Sequence, residues 1–125
     1  MILSKRETGN AMEDYVASYL QQQGLRILER NFQTKLGEID LIARDCDNIV
    51  FVEVRYREKQ NYGSSSETVT FYKQQRIIKT ALSYLKQKQL LEKVSCRFDV
   101  IAVTGHINQP SLEWIKDAFQ APGYY

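Results

Sequence analysis

The spacing of apolar and polar residues divides the first half of the chain into one helix and three strands. Apolar residues three and four positions apart predict a helix over residues 10–23, and Gly24 is typical of the position that ends one. Residues 25–34 resemble a strand, and alternation over 39–44 and 49–56 predicts two more strands joined by a polar turn. The apolar face predicted for the helix comprises Met12, Tyr15, Val16, Tyr19 and Leu20.

The second half of the chain opens with a predicted long helix. Ser64 and Glu67 match the spacing of a capping box, which places the helix over residues 65–91. Its predicted buried side comprises Val69, Ile77, Ile78, Ala81, Leu82, Leu85 and Gln89. The remaining predicted elements are a strand over residues 96–103, a turn over 105–110, a short strand over 112–115 and a helical turn over 116–120.

The order of these elements is α-β-β-β-α-β, with the short strand over 112–115 as a further candidate. This order predicts an α/β fold in which a mixed central sheet is flanked by helices. A length of 125 residues fits one domain, and no internal repeat or change of composition divides the chain. We therefore expect a single domain over residues 1–125.

Each strand of the predicted hairpin carries one carboxylate within an apolar run, Asp40 in the first and Glu53 in the second. A register that pairs Ile49 with either Arg44 or Cys46 places the two carboxylates on the same face of the sheet. A slip by one residue would expose the valines of the second strand, so it is disfavoured. The apolar side chains of the opposite, buried face are Ile39, Leu41, Ala43, Val50, Val52 and Val54.

Two carboxylates on adjacent strands require a positive charge between them. Side chains directly opposite each other lie about 5 Å apart at Cβ, where like charges repel. Arg55 shares the face and would relieve the repulsion, and so would Mg²⁺, which prefers hard oxygen ligands. The alternative is an ion-pair cluster on a solvated sheet face. Ile42 and Phe51 on that face favour a covered site.

Composition narrows the class of protein. With 43% hydrophobic and 26% charged residues the chain matches a soluble globular protein, and no apolar run reaches the roughly 18 residues of a membrane span. The first ten residues lack the features of a secretory signal, so we expect a cytoplasmic protein that does not enter a membrane. Cys46 and Cys96 are isolated, which predicts free thiols and disfavours a zinc site.

The positive charge is unevenly distributed. Residues 53–93 carry nine Lys or Arg and four Asp or Glu, although the net charge of the whole chain is only +2. This asymmetry suits a basic face for an anionic partner. The alternative is a solvated helix with lysines on its outer side, and charge alone does not choose between them.

Several motifs together give the chain a specific resemblance. An acidic residue followed at a distance by "EVR" resembles the signature of PD-(D/E)xK nucleases. More closely, the chain resembles the YraN-like family of small bacterial proteins, which is similar to archaeal Holliday-junction resolvases. The segments that carry the resemblance are "GEIDLIA" (37–43), "FVEVRYR" (51–57), the helix with Lys73, "RFDVIAV" (97–103) and "AF" (118–119).

This resemblance implies a restriction-endonuclease-like fold and a catalytic site. Asp40 and Glu53 would bind Mg²⁺ or Mn²⁺, and Glu13 on the first helix would reach the same site. Arg55 occupies the position of the catalytic lysine. Arginine keeps the positive charge but is never deprotonated, so it does not act as a base. Another departure is "AME" at 11–13, where related sequences commonly read "GE".

Other residues have both a functional and a structural interpretation. Lys73, Arg76, Arg30 and Arg57 are candidates for contacts with nucleic-acid phosphates. Glu38 is either a secondary ligand or charge at a strand edge. The remaining candidates are an Arg97–Asp99 pair that orients the core or supports the active-site face, Tyr56, Tyr62 and Tyr72 as stacking or packing residues, and a structural or exposed His106.

Three functional hypotheses follow from the sequence. The first is a metal-dependent endonuclease acting on DNA, including branched or recombining DNA. The second is a nucleic-acid-binding module in which Arg55 has replaced the catalytic lysine and activity is lost. The third is a protein-interaction adaptor, which the near-neutral net charge supports. Junction-cleaving proteins act as two-fold dimers, so a homodimer is among the expectations.

Overall fold

The computed structural model describes residues 4–57, 69–106 and 108–121, which form two helices and five strands. Of these, the side chains of Lys5, Arg57 and His106 lie outside the described part. The elements are α1 (Lys5–Gln22), β1 (Arg26–Thr34), β2 (Gly37–Asp45), β3 (Asn48–Arg57), α2 (Phe71–Gln87), β4 (Ser95–His106) and β5 (Gln109–Phe119).

The five strands form one open mixed sheet in the order β1-β2-β3-β4-β5. Strands β3 and β4 run parallel, and every other neighbouring pair is antiparallel. A parallel pair needs a crossover connection, and α2 lies in the one between β3 and β4. The predicted α/β class and the order of the first six elements are confirmed, and the architecture is compatible with a restriction-endonuclease-like fold.

Each face of the sheet is covered by one helix. Met12 and Leu20 of α1 pack with Leu41 and Val52 on the side that we call the α1 face. Buried α2 side chains, Leu85 among them, pack with Ile42 and Phe51 on the opposite side, the α2 face. The predicted periodicity of α1 is confirmed except at Tyr15, which is exposed.

Both helices begin at an oxygen-bearing side chain that satisfies a free backbone N–H group. At α1, Ser4 and Glu7 form a capping box, so the helix begins earlier than predicted. At α2, the Lys73 backbone N–H donates to Thr70 Oγ1 at 3.1 Å. This helix was predicted to begin at residue 65. That prediction is wrong, because residues 69 and 70 are not helical and α2 begins at Phe71. The proposed Ser64–Glu67 capping box lies outside the described residues.

The far end of α2 also differs from the prediction. The helix ends at Gln87, and Gln89, predicted to be buried, is exposed with φ of 59°. That left-handed conformation does not continue a right-handed helix, so the predicted end at residue 91 is wrong. After α1, by contrast, Gly24 has φ of 96°, which confirms the predicted glycine stop.

The last two strands are longer than predicted. The chain turns within the predicted range 105–110, but the turn is shorter than predicted, because Gly105 pairs with Pro110 and His106 with Gln109. The helical turn predicted over 116–120 is wrong, because β5 continues to Phe119. The Phe119 ring stacks on Phe98 with a centroid distance of 5.1 Å. Burial of this aromatic pair on the α2 face favours the extended conformation.

One residue of β2 lies on the opposite face from the predicted one. Ile39 packs with Phe32 on the α2 face, whereas Leu41 packs on the α1 face as predicted. Arg30 pairs with Leu41 and Phe32 with Ile39, and Asn31 between them has φ of 53°. We attribute the break in alternation to this left-handed residue, which bends β1 beside Asp40.

Candidate functional site

The pairing of β2 with β3 brings the two predicted carboxylates together. Arg44 pairs with Ile49 and Leu41 with Val52, which is one of the two predicted registers. Continued by one residue, that register places Asp40 across from Glu53. Here a side chain joins the two strands, because the Val54 backbone N–H donates to Asp40 Oδ2 at 2.8 Å. This hydrogen bond fixes the Asp40 carboxylate at the open end of the hairpin, away from the turn.

The carboxyl groups of Asp40 and Glu53 are close and poorly solvated. Glu53 is only 5% exposed, and it lies within hydrogen-bonding reach of Asp40. Burial, followed by the negative charge of Glu53, raises the pKa of Asp40 to about 8. The hydrogen bond from Val54 acts in the opposite direction but does not cancel these effects. A bound proton or a nearby cation would therefore stabilise the pair.

Two basic side chains partly neutralise the negative charge of the pair. Lys73 Nζ of α2 forms a salt bridge with Glu53 Oε2, and Arg55 Nη1 lies 3.7 Å from the same oxygen. Together with Asp40, Val54 and Tyr56 these residues line an open cleft of about 370 Å³. Lys73 was predicted as a phosphate contact only. Its position beside Glu53 was not predicted, since nothing in the sequence spacing relates the two residues.

The close approach of α2 to β2 explains why Lys73 reaches this cleft. Gly37 lies directly below the helix, and a Cβ atom added there would stand 3.0 Å from Thr80 Oγ1 and 3.4 Å from the Arg76 carbonyl oxygen. Contacts that short are tighter than most in proteins, so a side chain at residue 37 would require Thr80 or the Arg76 backbone to give way by a few tenths of an ångström. The glycine of "GEIDLIA" thus helps to set the distance between the helix and the carboxylates.

Glu13 of α1 does not line the cleft, but it is close enough for its charge to act on Asp40. Its charge contributes to the raised pKa of Asp40. Burial raises the pKa of Glu13 itself, although Asn31 and Arg30 oppose the effect. Glu13 Oε1 is buried, stands 3.9 Å from Arg30 Nη2, and accepts no hydrogen bond from the described residues. This oxygen is a potential additional ligand.

The donor set suits a hard divalent cation. Among the described residues no group of three His, Cys, Asp or Glu side chains forms a ready metal cluster. Asp40 and Glu53 nevertheless supply adjacent carboxylate oxygens, and the Lys73 ammonium already stands where a cation would neutralise Glu53. Mg²⁺ is commonly held by one or two carboxylates, with water and substrate completing its shell. The chemistry of the residues therefore fits Mg²⁺ or Mn²⁺.

The predicted phosphate-binding arginines differ in their surroundings. Arg30 Nη2 lies 2.7 Å from Asp14 Oδ1, so α1 neutralises part of its charge. Arg76 is exposed on α2, and its Nη1 donates to the Tyr72 hydroxyl at 3.3 Å. The side chain of Arg57 lies outside the described residues. Of the four predicted phosphate contacts, only Lys73 lines the carboxylate cleft within the described part of the chain.

Arg97 and Asp99 belong to a buried network on the other face of the sheet. Arg97 Nε donates to both carboxylate oxygens of Asp99, and Asp99 also accepts from the Trp114 indole and the Asp117 backbone. Asp99 is beside Val52 in the β3–β4 register, whereas Glu53 is beside Val100. Successive residues face opposite sides, so the pair orients the core rather than the cleft.

The remaining candidate residues are structural or lie outside the described part of the chain. The Tyr56 hydroxyl donates to the Gly105 carbonyl at 3.2 Å, which favours packing over stacking. Glu38 is exposed and accepts from Gln33 Nε2 at the strand edge. Tyr62 and the side chain of His106 lie outside the described residues, and both cysteines are free thiols.

The fold and the cleft define a class of α/β protein in which a mixed sheet presents paired carboxylates beside a basic helix. The model of the uncharacterised protein family UPF0102 matches residues 12–103. The chain belongs to this family.

Its relatives share most of the chain. A UPF0102 protein of Vibrio parahaemolyticus is 45% identical over 117 residues, covering 94% of this chain and 95% of the relative. One of Aliivibrio fischeri is 47% identical over 116 residues, covering 92% and 93%. One of Nitrosococcus oceani is 40% identical over 115 residues, with the same coverage. Membership of this YraN-like family confirms the resemblance found in the sequence.

Of the described helices, neither α1 nor α2 is long and apolar enough to cross a bilayer.

Proposed function

We propose that this protein is a metal-dependent endonuclease that cleaves phosphodiester bonds in DNA. The observation that carries the proposal is the half-buried Asp40 beside the buried Glu53, in an open cleft with Arg55 and Lys73. A raised carboxyl pKa produced by burial and a like charge is typical of functional sites. The resemblance to PD-(D/E)xK nucleases and junction resolvases favours DNA, and branched DNA in particular, as substrate.

The charge of α2 supports an anionic substrate. Within its helical residues it carries Lys73, Arg76, Lys79 and Lys86 and no Asp or Glu. Lys73 faces the carboxylates, and both Arg76 and Lys79 are exposed on the same helix. Such a helix attracts a phosphate backbone without reading base sequence, and its contribution falls as salt concentration rises.

In the proposed mechanism Asp40 and Glu53 would hold Mg²⁺ or Mn²⁺, and Glu13 would be available as an additional ligand. A bound divalent ion lowers the pKa of water and stabilises charge on the phosphoryl oxygens. Arg55 is positioned to donate hydrogen bonds to a phosphate in the cleft, since its guanidinium is always charged. Lys73 supplies a second positive charge at the same place.

The test is a cleavage assay on single-stranded, duplex, flap and four-way-junction DNA in Mg²⁺, Mn²⁺ or EDTA. Wild type is compared with Asp40→Ala and with Asp47→Asn, an exposed control in the turn between β2 and β3. We expect metal-dependent cleavage by wild type and the control. In Asp40→Ala the cleavage rate should fall by about 100-fold or more, which is the usual effect of removing one group that stabilises the transition state. Equal cleavage by all three proteins, or no cleavage by wild type, would overturn the nuclease proposal.

Arg55 favours a second candidate function, a nucleic-acid-binding module without catalysis. The PD-(D/E)xK nucleases that the chain resembles carry lysine at this position. Arginine does not release a proton at physiological pH. Binding of DNA in EDTA without cleavage in any metal would support this candidate. Cleavage gained in Arg55→Lys would then identify the arginine as the residue that silences the site.

A further inference from the structure

Two large aromatic side chains at the start of α2 are almost fully exposed. Phe71 is 74% exposed and Tyr72 is 71% exposed, which are the highest values among the large hydrophobic residues that the structure describes. Neighbouring apolar residues of α2, Ile77 and Ile78, are buried on the α2 face. Exposure of two adjacent aromatic rings has an energetic cost in water, so it suggests a binding surface.

These rings lie in the first turn of α2, next in sequence to Lys73, which lines the carboxylate cleft, and Tyr72 has a positive charge beside it. Tyr72 precedes Lys73, whose ammonium group contacts Glu53 in the cleft. Arg76 Cζ stands 5.8 Å from the centroid of the Tyr72 ring, and Arg76 Nη1 donates to the Tyr72 hydroxyl. The Tyr72 ring is thus held beside the Arg76 cation. Aromatic rings interleaved with positive charge are what single-stranded nucleic acid binds, by stacking of bases and neutralisation of phosphates.

We propose that Phe71 and Tyr72 form a stacking platform for unpaired nucleotides of the substrate. The platform would hold bases next to the phosphate that enters the cleft, which makes single-stranded regions of DNA the preferred substrate class. This inference rests on the proposed function, because it assumes that the cleft receives a nucleic acid. It adds to that function a reason to prefer unpaired over fully paired DNA.

The experiment separates stacking from phosphate contacts. Binding is measured in EDTA by fluorescence anisotropy, with labelled oligothymidylate, an abasic strand of equal length and a duplex as probes. The platform variant is Phe71→Ala/Tyr72→Ala, and the matched control is Tyr15→Ala, which removes an exposed tyrosine from α1. Circular dichroism checks that all proteins are folded.

We expect wild type and the control to bind oligothymidylate about five-fold or more tightly than the abasic strand, as one stacked base would give. The platform variant should bind both strands equally. Its affinity for the abasic strand and its dependence on salt should match those of wild type, because the positive charges of Lys73 and Arg76 are retained.

Two results would overturn the platform and leave the proposed function intact. One is wild-type binding that is equal for base-containing and abasic strands. The other is a platform variant that binds DNA like wild type but loses a dimer in sedimentation, which would assign the aromatic pair to a contact between copies of the chain. If wild type binds none of the probes at low salt, the nucleic-acid function itself fails.

Discussion

Lys73 on α2 forms a salt bridge with Glu53 on β3, although the two residues belong to separate elements and are distant in sequence. Glu53 is buried, whereas Lys73 is 42% exposed. The ammonium group therefore neutralises a poorly solvated carboxylate from the side that is open to solvent. This pairing links the candidate metal ligands to the basic helix that is proposed to bind DNA.

Replacement of Lys73 by methionine should destabilise the metal-free protein. We expect the free energy of unfolding in EDTA to fall by about 1 kcal/mol, because the lysine is exposed enough for water to screen part of the interaction. Saturating Mn²⁺ should reduce the difference, since the metal would neutralise Glu53 instead. Urea unfolding of Lys73→Met beside Lys79→Met, an exposed lysine on the same helix, is the measurement. An equal loss in both variants would contradict the role of the Glu53 salt bridge.

The raised pKa of Asp40 predicts a pH-dependent effect of Asp40→Asn. In the folded protein this pKa is about 8 against an ordinary value of 3.8, so the folded state binds the proton more tightly than the unfolded chain. The contribution of Asp40 to stability is therefore greatest below pH 3.8 and is lost as the pH rises towards 8. Asparagine does not titrate. The variant should melt at a higher temperature than wild type at pH 8 and at a similar temperature near pH 4.

Thermal melts in EDTA at a series of pH values test this prediction. Asp47→Asn, which removes an exposed carboxylate in the turn, serves as the control and should show no such trend. A difference between Asp40→Asn and wild type that stays constant with pH would show that burial does not raise the pKa of Asp40.

The carboxylate pair could be predicted from the sequence because strand alternation and a short turn leave few registers. A shift by one residue would have moved every valine of β3 to the wrong face. Asp40, Glu53 and Arg55 were placed together on that ground alone. The same argument failed at Ile39, because it assumes regular strands and the left-handed Asn31 interrupts β1.

The position of α2 could not be predicted in the same way. Helical periodicity gives the buried side of a helix, but not its distance from the sheet or its offset along a strand. Those depend on tertiary packing, such as the close approach of Thr80 and Arg76 to Gly37. The capping-box rule also selected Ser64, which lies outside the described residues, as the cap of α2. The described hydrogen bond identifies Thr70 as the cap of α2.

Divalent cations should stabilise the wild-type protein through Asp40 and Glu53. A ligand that binds only the folded state at 100 times its dissociation constant adds about 2.7 kcal/mol to the free energy of unfolding. We expect Mn²⁺ and Mg²⁺ to raise the melting temperature of wild type, and to have no such effect on Asp40→Asn or Glu53→Gln. The effect should grow as the pH rises towards 8, because the metal must displace the Asp40 proton.

Differential scanning fluorimetry with and without EDTA measures this stabilisation, and KCl at matched ionic strength corrects for screening. Asp47→Asn should respond to the metals like wild type. Stabilisation that persists in both site variants would place the metal elsewhere, and its absence in wild type would contradict the assigned ligands.

The Asp99 network predicts a loss of stability that is independent of metal. Asp99 is fully buried, and its carboxylate accepts hydrogen bonds from Arg97, Trp114 and the backbone of Asp117. Removal of the carboxylate in Asp99→Ala takes this acceptor away from Arg97, Trp114 and the Asp117 backbone, whereas Arg97 keeps its salt bridge with Asp45. We expect a cost of about 1–3 kcal/mol.

Urea unfolding followed by the fluorescence of Trp114, the single tryptophan, measures that cost. The shift of the unfolding midpoint should be the same in EDTA and in Mn²⁺, because Asp99 lies on the opposite face of the sheet from Glu53. At a temperature where the variant remains folded, its metal-dependent stabilisation should equal that of wild type. A variant that unfolds normally but no longer responds to Mn²⁺ would show that the network supports the carboxylate cleft after all.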